Sequence, residues 1–364
     1  PDFRMDVDGE ADLSEEVLRI YGYDKIPGTL LRGETTPGGR NDRMRLKDDL
    51  AEQLQGMGYY EIMNFSFVSP KNIEKLNLPA DDARLKPLQI RNPLGEDTSV
   101  MRSTLAPGML KTLALNMNRG NEMARLYEAA AVFDPLHPTA EGLPTETQTL
   151  CLGMYGKDAD FYALRGAVDR LLHHRGIAFE IVAGGESYHH PGRCAKLMHE
   201  DKVVCVLGEV HPAVRENFDM PARALIAELN LATIAELSRP MGAVKPMPRY
   251  PTVSRDISLV MPESTSVGPL MADMARAAGA ILEDAKMFDV YRSPLLGKDM
   301  KSVAFSFVFR GSDRTLTEQE ITAAMESGRK DASEDFWEKD ESQLKLDPPP
   351  ADANAAFQGV NFSE

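Results

Sequence analysis

Four carboxylates near the start of the chain, Asp6, Asp12, Glu15 and Glu16, are the first residues whose types and spacing could do chemistry. A hard divalent cation takes several oxygen ligands, and clustered acids are the usual supply. The same spacing has a purely structural use. Asp12 is placed to cap a helix opening at Leu13, with Glu15 three residues on completing a capping box, and acids in a first turn are favoured by the helix dipole. Spacing alone leaves both uses open. On a helix Glu15 and Glu16 diverge by about 100°, so one of them would reach a cation only through water.

A second group is basic. Arg255, Arg292, Lys298, Lys301, Arg310 and Arg314 lie in a block, 245–330, that holds twelve bases and eleven acids in a chain of net charge −15. A chain this acidic does not coat itself in nucleic acid, so any RNA contact has to be local. The near-neutral block repels phosphate least, because residues 1–31 and 331–364 are strongly acidic. Within it Val303, Phe305, Phe307 and Phe309 alternate. Aromatics exposed on a sheet stack RNA bases; on the apolar face of a sheet they pack under helices. The second reading suits this run, which leaves the six cations to meet phosphates.

Other chemistry is poorly supplied. His189-His190 and His173-His174 have no Cys-x-x-Cys or His-Glu-x-x-His spacing beside them and read as surface or turn histidines. No Gly-x-Ser-x-Gly elbow or Walker loop is present. Cys151, Cys194 and Cys205 are too few and too scattered for a disulfide framework and point to a reducing cytoplasm. No apolar run approaches the roughly 18 residues of a membrane helix. The 364 residues suffice for two or three domains.

The elements that must position these groups follow from periodicity. Val17, Leu18 and Tyr21 form the apolar side of the helix from Leu13, and Gly22 ends it. After a linker at Thr35–Gly39, a long helix covers about Asp42–Met57. Its stripe of Met44, Leu46, Leu50, Leu54 and Met57 suits a protein partner or a core. Tyr59–Val68 reads as a strand and 69–87 as a loop with a short helix near Lys71–Leu76. The centre is Arg91–Asp134. There a turn at Asn92-Pro93-Leu94-Gly95 closes the run Leu88–Ile90, Pro107 opens a helix buried through Met109, Leu110, Leu113 and Met117, Gly120 stops it, and Ala124–Phe133 is a strand. A polar loop leads to a strand at Thr149–Tyr155 and a helix from Asp160 to about His174. Strands at Phe179–Val182, Ala195–Met198, Val203–Glu209 and Leu225–Asn230 then predict an antiparallel sheet flanked by helices.

Lys245-Pro246-Met247-Pro248 marks the next boundary. Beyond it come Asp256–Met261, helix Val267–Ala278, Ile281–Tyr291, Lys301–Arg310 and a helix from Glu318 with Thr317 and Glu320 as its capping box. That order is ferredoxin-like without its last strand.

The wording of these segments is specific as well. Asn92-Pro93-Leu94, the run Glu96–Arg102, Pro107-Gly108 and the helix ending Asn116–Gly120 resemble the central module of the bacterial-type phenylalanyl-tRNA synthetase β subunit. Asp12–Pro27, His190–Arg193 and Gly208–Pro212 are similar to the same family. Arg249–Ile257, Phe288–Tyr291 and Arg314–Thr317 resemble its anticodon-binding domain. The resemblance implies an α+β, multidomain chain. Residues 1–31 would be the end of a winged-helix-like domain, 32–244 a class II synthetase-like antiparallel sheet module without catalytic residues, 245–346 a ferredoxin-like anticodon-binding domain, and 347–364 a disordered tail.

It further implies that Asp6, Asp12, Glu15 and Glu16 match the family's magnesium site. An α subunit, in an α2β2 assembly, would carry the ATP-dependent active site that joins phenylalanine to its tRNA. Class II sites use an arginine and acid on a strand and a glycine-rich strand-to-helix segment ending in arginine. Neither is found here, so the chain alone is expected to make no phenylalanyl-adenylate. The start at Pro1-Asp2-Phe3 reads as a segment of a longer protein, with the family's editing site upstream. The C-terminal end departs from the family, and Leu344-Lys345-Leu346 is the remaining candidate for a fourth strand. The other functional reading is a non-catalytic RNA-binding or scaffold protein built from the same modules, which co-purification with α would separate.

Overall fold

The computed structural model describes residues 3–35, 37–134, 136–137, 139–239 and 247–336. The chain divides into two compact units, Pro1–Ala243 and Val244–Glu364. No helix among the described residues is long and apolar enough to cross a membrane.

In the first unit α1 (Glu10–Tyr21) and α2 (Asp42–Gly56) precede two short strands, β1 (Tyr60–Glu61) and β2 (Phe67–Val68). Then come α3 (Pro70–Glu74), β3 (Val100–Met101), α4 (Ala106–Asn118), β4 (Ala124–Asp134) and β5 (Thr145–Tyr155). The unit continues through α5 (Phe161–His174), β6 (Glu180–Ala183), β7 (His189–His199), β8 (Lys202–Val210), α6 (Pro212–Asn217), β9 (Leu225–Asn230) and α7 (Leu231–Leu237). Seven strands form one sheet in the order β1-β4-β5-β9-β8-β7-β6. Every pairing in it is antiparallel except β1 with β4.

Helices cover both faces, so β5 is apolar on both sides. Leu150, Leu152 and Met154 pack with α2, α5 and α7, while Cys151 and Tyr155 pack on the side of α4. Gly153 faces α4 so closely that a Cβ there would lie 2.5 Å from Met109 Sδ. Leu46, Leu50 and Leu54 are buried against the sheet. The α2 stripe is therefore interior and not a partner surface, and Met44 at its N-terminal end is exposed.

Four local expectations change. The first helix opens at Glu10, not Leu13, because the Asp12 carboxylate accepts from the backbone N–H of Gly9 (2.8 Å) and Asp8 (3.0 Å) and so closes the turn before it. Tyr59–Val68 is not one strand. After Ile62 bonds the Tyr127 carbonyl, Asn64 turns inward and gives its backbone N–H and its side-chain amide to Glu128, which breaks the ladder. The run Leu88–Ile90 contributes a single bridge, Gln89 to Val100. β7 absorbs the His190–Arg193 segment, and a register shift between His189 and Cys194 accommodates Pro191, which has no N–H to give.

The second unit comprises β10 (Val253–Pro262), α8 (Val267–Ala278), β11 (Leu282–Tyr291), β12 (Met300–Phe309) and α9 (Glu318–Phe336). Its sheet runs β10-β12-β11, antiparallel throughout. Val303, Phe305, Phe307 and Phe309 are buried with Leu270, Met274 and Ala278 of α8 and Ile321 of α9. Thr317 and Glu320 form the capping box: the Glu320 carboxylate accepts from the Thr317 N–H (2.9 Å), and the Glu320 N–H reaches back to Thr317 Oγ1 (3.4 Å). The candidate strand at Leu344-Lys345-Leu346 and the tail 347–364 lie outside the described residues.

Candidate functional site

The acids at α1 are occupied by the chain's own donors. Arg4 makes a two-pronged contact with Asp6, Nε to Oδ1 at 2.9 Å and Nη2 to Oδ2 at 2.6 Å, and the same Nη2 donates to Glu16 Oε1 at 2.8 Å. Arg19 takes the other Glu16 oxygen at 2.7 Å. Bonds from these arginines hold the Asp6 and Glu16 carboxyls down at about 2. Asp12 is spent on the backbone N–H groups of Asp8 and Gly9, and Glu15 is exposed. Among the described residues no group of three or more His, Cys, Asp or Glu side chains could hold a metal ion. In this arrangement Asp6 and Glu16 are closed to magnesium, a cation that binds through one or two free carboxylates and keeps several of its waters.

The centre of the large sheet holds polar groups but no reactive constellation. Register places Glu128, Cys151 and Glu228 side by side across β4, β5 and β9. Arg102 Nη1 donates to Glu128 at 2.7 Å, alongside Asn64. Glu228 accepts from Thr104 Oγ1 (2.8 Å), the Leu105 N–H (3.0 Å) and Tyr188 Oη (2.6 Å). Both carboxylates are thus saturated by neighbours, and burial first, then Glu228 and Glu128, push the Cys151 thiol well up, away from a nucleophilic thiolate.

His189 departs from the surface or turn position expected of it. It is buried, lies tilted against the ring of Tyr188 with centroids 4.6 Å apart, and is pushed down to about 4, chiefly by that burial. Its neighbour His190 accepts from the Gly192 N–H. His174 joins α5 to α2 through Asp49, and His173 lies against the ring of Phe179.

In the second unit most of the expected phosphate-binding cations are already engaged. Arg255 pairs with Glu318, Arg292 with Glu263, and Arg314 with Glu320. Arg310 pairs with Glu283 and donates to the Tyr250 carbonyl. Lys301 is buried, its ammonium donating to the carbonyls of Glu263 (2.9 Å) and Thr265 (2.8 Å), so its place is structural. Lys298 is exposed in the turn before β12.

Among the described residues, the helices cover one face of the three-stranded sheet and leave the other open. Across that open face the register lines up Asp256, Ser306 and Lys286, then Ser258, Ala304 and Asp289, then Val260, Ser302 and Tyr291. The floor is small, mostly serine and alanine, with Tyr291 exposed at one end of these three rows and Lys286 exposed at the other. Phe288, the extra residue where the pairing with β12 shifts between Met287 and Asp289, is also exposed. Both aromatics delimit the family-like run Phe288–Tyr291, but neither was among the RNA contacts expected from the sequence. Tyr291 was legible as the strand position opposite in parity to the buried residues, whereas the bulge at Phe288 leaves no compositional mark.

Comparison with known proteins names the two units. The family described as "Phenylalanyl tRNA synthetase beta chain CLM domain" matches residues 26–231, and "Ferredoxin-fold anticodon binding domain" matches 248–338. Among curated relatives, the phenylalanine–tRNA ligase beta subunit of Clostridium acetobutylicum is 36% identical over 324 residues, 88% of this chain and 40% of that protein. The beta subunits of Clostridium tetani and Syntrophus aciditrophicus are each 37% identical, covering 88% of this chain and 41% of theirs. The chain thus spans about two-fifths of the length of the curated relatives it matches. Among solved structures, pyrrolysyl-tRNA synthetase from Desulfitobacterium hafniense overlays at a TM-score of 0.46 and 16% identity over 54% of this chain and 68% of that one, too partial an overlap to add to the assignment. On these matches the chain belongs to the phenylalanyl-tRNA synthetase beta chain family, and it joins that family's CLM domain to a ferredoxin-fold anticodon-binding domain.

Proposed function

We propose that this chain serves the β subunit of phenylalanine–tRNA ligase in the cytoplasm, working with an α subunit in an α2β2 assembly. The assembly attaches phenylalanine to its tRNA using ATP and magnesium at the α active site. The contribution of this chain is non-catalytic: its first unit docks protein and its second unit meets tRNA. The open face of the β10-β12-β11 sheet carries the reading. A floor of Ser258, Ser302, Ala304 and Ser306 leaves room for an unpaired base, Tyr291 offers a ring to stack on it at one end, and Lys286 stands two rows away at the other, beyond the row of Asp289. Of the six cations expected to meet phosphate, Lys298 is the one we retain as a direct contact. Arg255, Arg292, Arg310 and Arg314 would first have to leave their carboxylates.

Stacking on one base is worth about 1–3 kcal/mol, so Tyr291→Ala in the α/β complex should weaken binding of phenylalanine tRNA by about 5- to 150-fold. Association with α and the melting of the second unit should be unchanged. Lys298→Ala should weaken binding less and make its fall with salt slightly shallower. Undiminished affinity in Tyr291→Ala would move the RNA surface off this sheet.

For the protein partner, the surface we assign is the segment between β1 and β2. Ile62, Asn64 and Ser66 turn inward, and Met63, Phe65 and Phe67 alternate outward with Tyr60 also exposed, at the edge of the seven-stranded sheet. Met63→Asp with Phe65→Asp should abolish co-purification with α while leaving the chain's unfolding transition in place. Retained α at normal yield would send the interface elsewhere.

A further inference from the structure

The resemblance of the first segment to the synthetase β subunit implies a divalent cation at Asp6, Asp12, Glu15 and Glu16, and the side chains found there answer that need differently. A single guanidinium joins Asp6, just before the helix, to Glu16 in its second turn, and Nη2 is shared between the two carboxylates at 2.6 and 2.8 Å. Such planar two-pronged contact uses the geometry that distinguishes Arg from Lys, and it fixes direction as well as charge. Arg19 closes the remaining Glu16 oxygen, and Asp12 is turned onto the backbone ahead of α1. Two guanidinium charges thus face two carboxylate charges. The segment also has little else to hold it, since α1 buries none of its residues.

We infer that Arg4 performs at the start of α1 the bridging that a divalent cation would otherwise perform, so that Asp6 and Glu16 are held together without metal. Arg4 and magnesium are then competitors for the same oxygens. A cation entering the cluster must first break four hydrogen bonds from Arg4, and it finds the guanidinium charge still beside it. Removal of Arg4 releases both carboxylates and turns a closed ion network into an open acidic one.

The test is calorimetric titration of the 364-residue chain with magnesium chloride, comparing the unaltered chain with Arg4→Gln and Arg4→Lys. Arg4→Gln should bind magnesium at least tenfold more tightly than the unaltered chain. Arg4→Lys should fall between them, because one ammonium cannot make the paired contact. Equal or tighter binding by the unaltered chain overturns the inference. Should Arg4→Gln unravel the segment, amide exchange of α1 in the unaltered chain decides instead. Protection that is the same in EDTA and in magnesium supports the arginine bridge, and protection that appears only with magnesium overturns it.

Discussion

Replacing Arg102 with methionine is expected to destabilise the first unit by about 3–5 kcal/mol, the usual cost of leaving one member of a buried ion pair alone. Arg102 and Glu128 are both buried, and the guanidinium reaches Glu128 at 2.7 Å, the Ala131 carbonyl at 2.9 Å and the Asn64 carbonyl at 3.3 Å. It therefore ties the residues just before α4 to β4 and to the inward turn at Asn64. Methionine fills much of the space but gives none of those hydrogen bonds, so Glu128 keeps its charge with only Asn64 to answer it. The double variant Arg102→Met with Glu128→Gln removes the stranded charge and should recover a large part of the loss. Denaturant midpoints for the two single variants and the double complete the cycle. A loss below about 1 kcal/mol for Arg102→Met would put the pair in the class of solvated surface bridges.

Phe305→Ala should cost the second unit about 3–5 kcal/mol, since the ring is fully buried in the central strand under both helices. Binding of tRNA by the α/β complex should then fall together with the melting temperature of this unit. Tyr291→Ala gives the opposite signature, weaker RNA binding with the melt in place. If Phe305→Ala lowered RNA affinity and left the melt untouched, the aromatic run would be a base-stacking surface after all.

The contrast between these two phenylalanine and tyrosine positions shows what was legible. Alternation assigned Phe305 to the core because period-two burial is a local property of a strand. Helical spacing gave α2 and α4 to within a residue or two, and the capping box at Thr317 and Glu320 was readable letter by letter. Contacts distant in sequence were not readable. The α2 stripe looked equally suited to a partner and to a core, and only the sheet that β4, β5 and β9 build decides for the core. The split of Tyr59–Val68 depends on Glu128, 64 residues beyond Asn64. The same limit applies to charges: composition found the near-neutral block, but pairings such as Arg255 with Glu318, 63 residues apart, decide which cations are free. At α1, four acids could be counted, while the arginine that closes on two of them is set by the fold of the turn between them.

β12 has a consequence for how this domain can change over time. Successive residues along it answer to different demands: Val303, Phe305 and Phe307 to packing under the helices, Ser302, Ala304 and Ser306 to whatever lies on the open face. A point substitution at one parity alters stability and leaves the open face alone, and at the other parity it alters the open face with little effect on the core. One short strand thereby lets the open face vary through single codon changes while the packed face, and with it the fold, stays as it is.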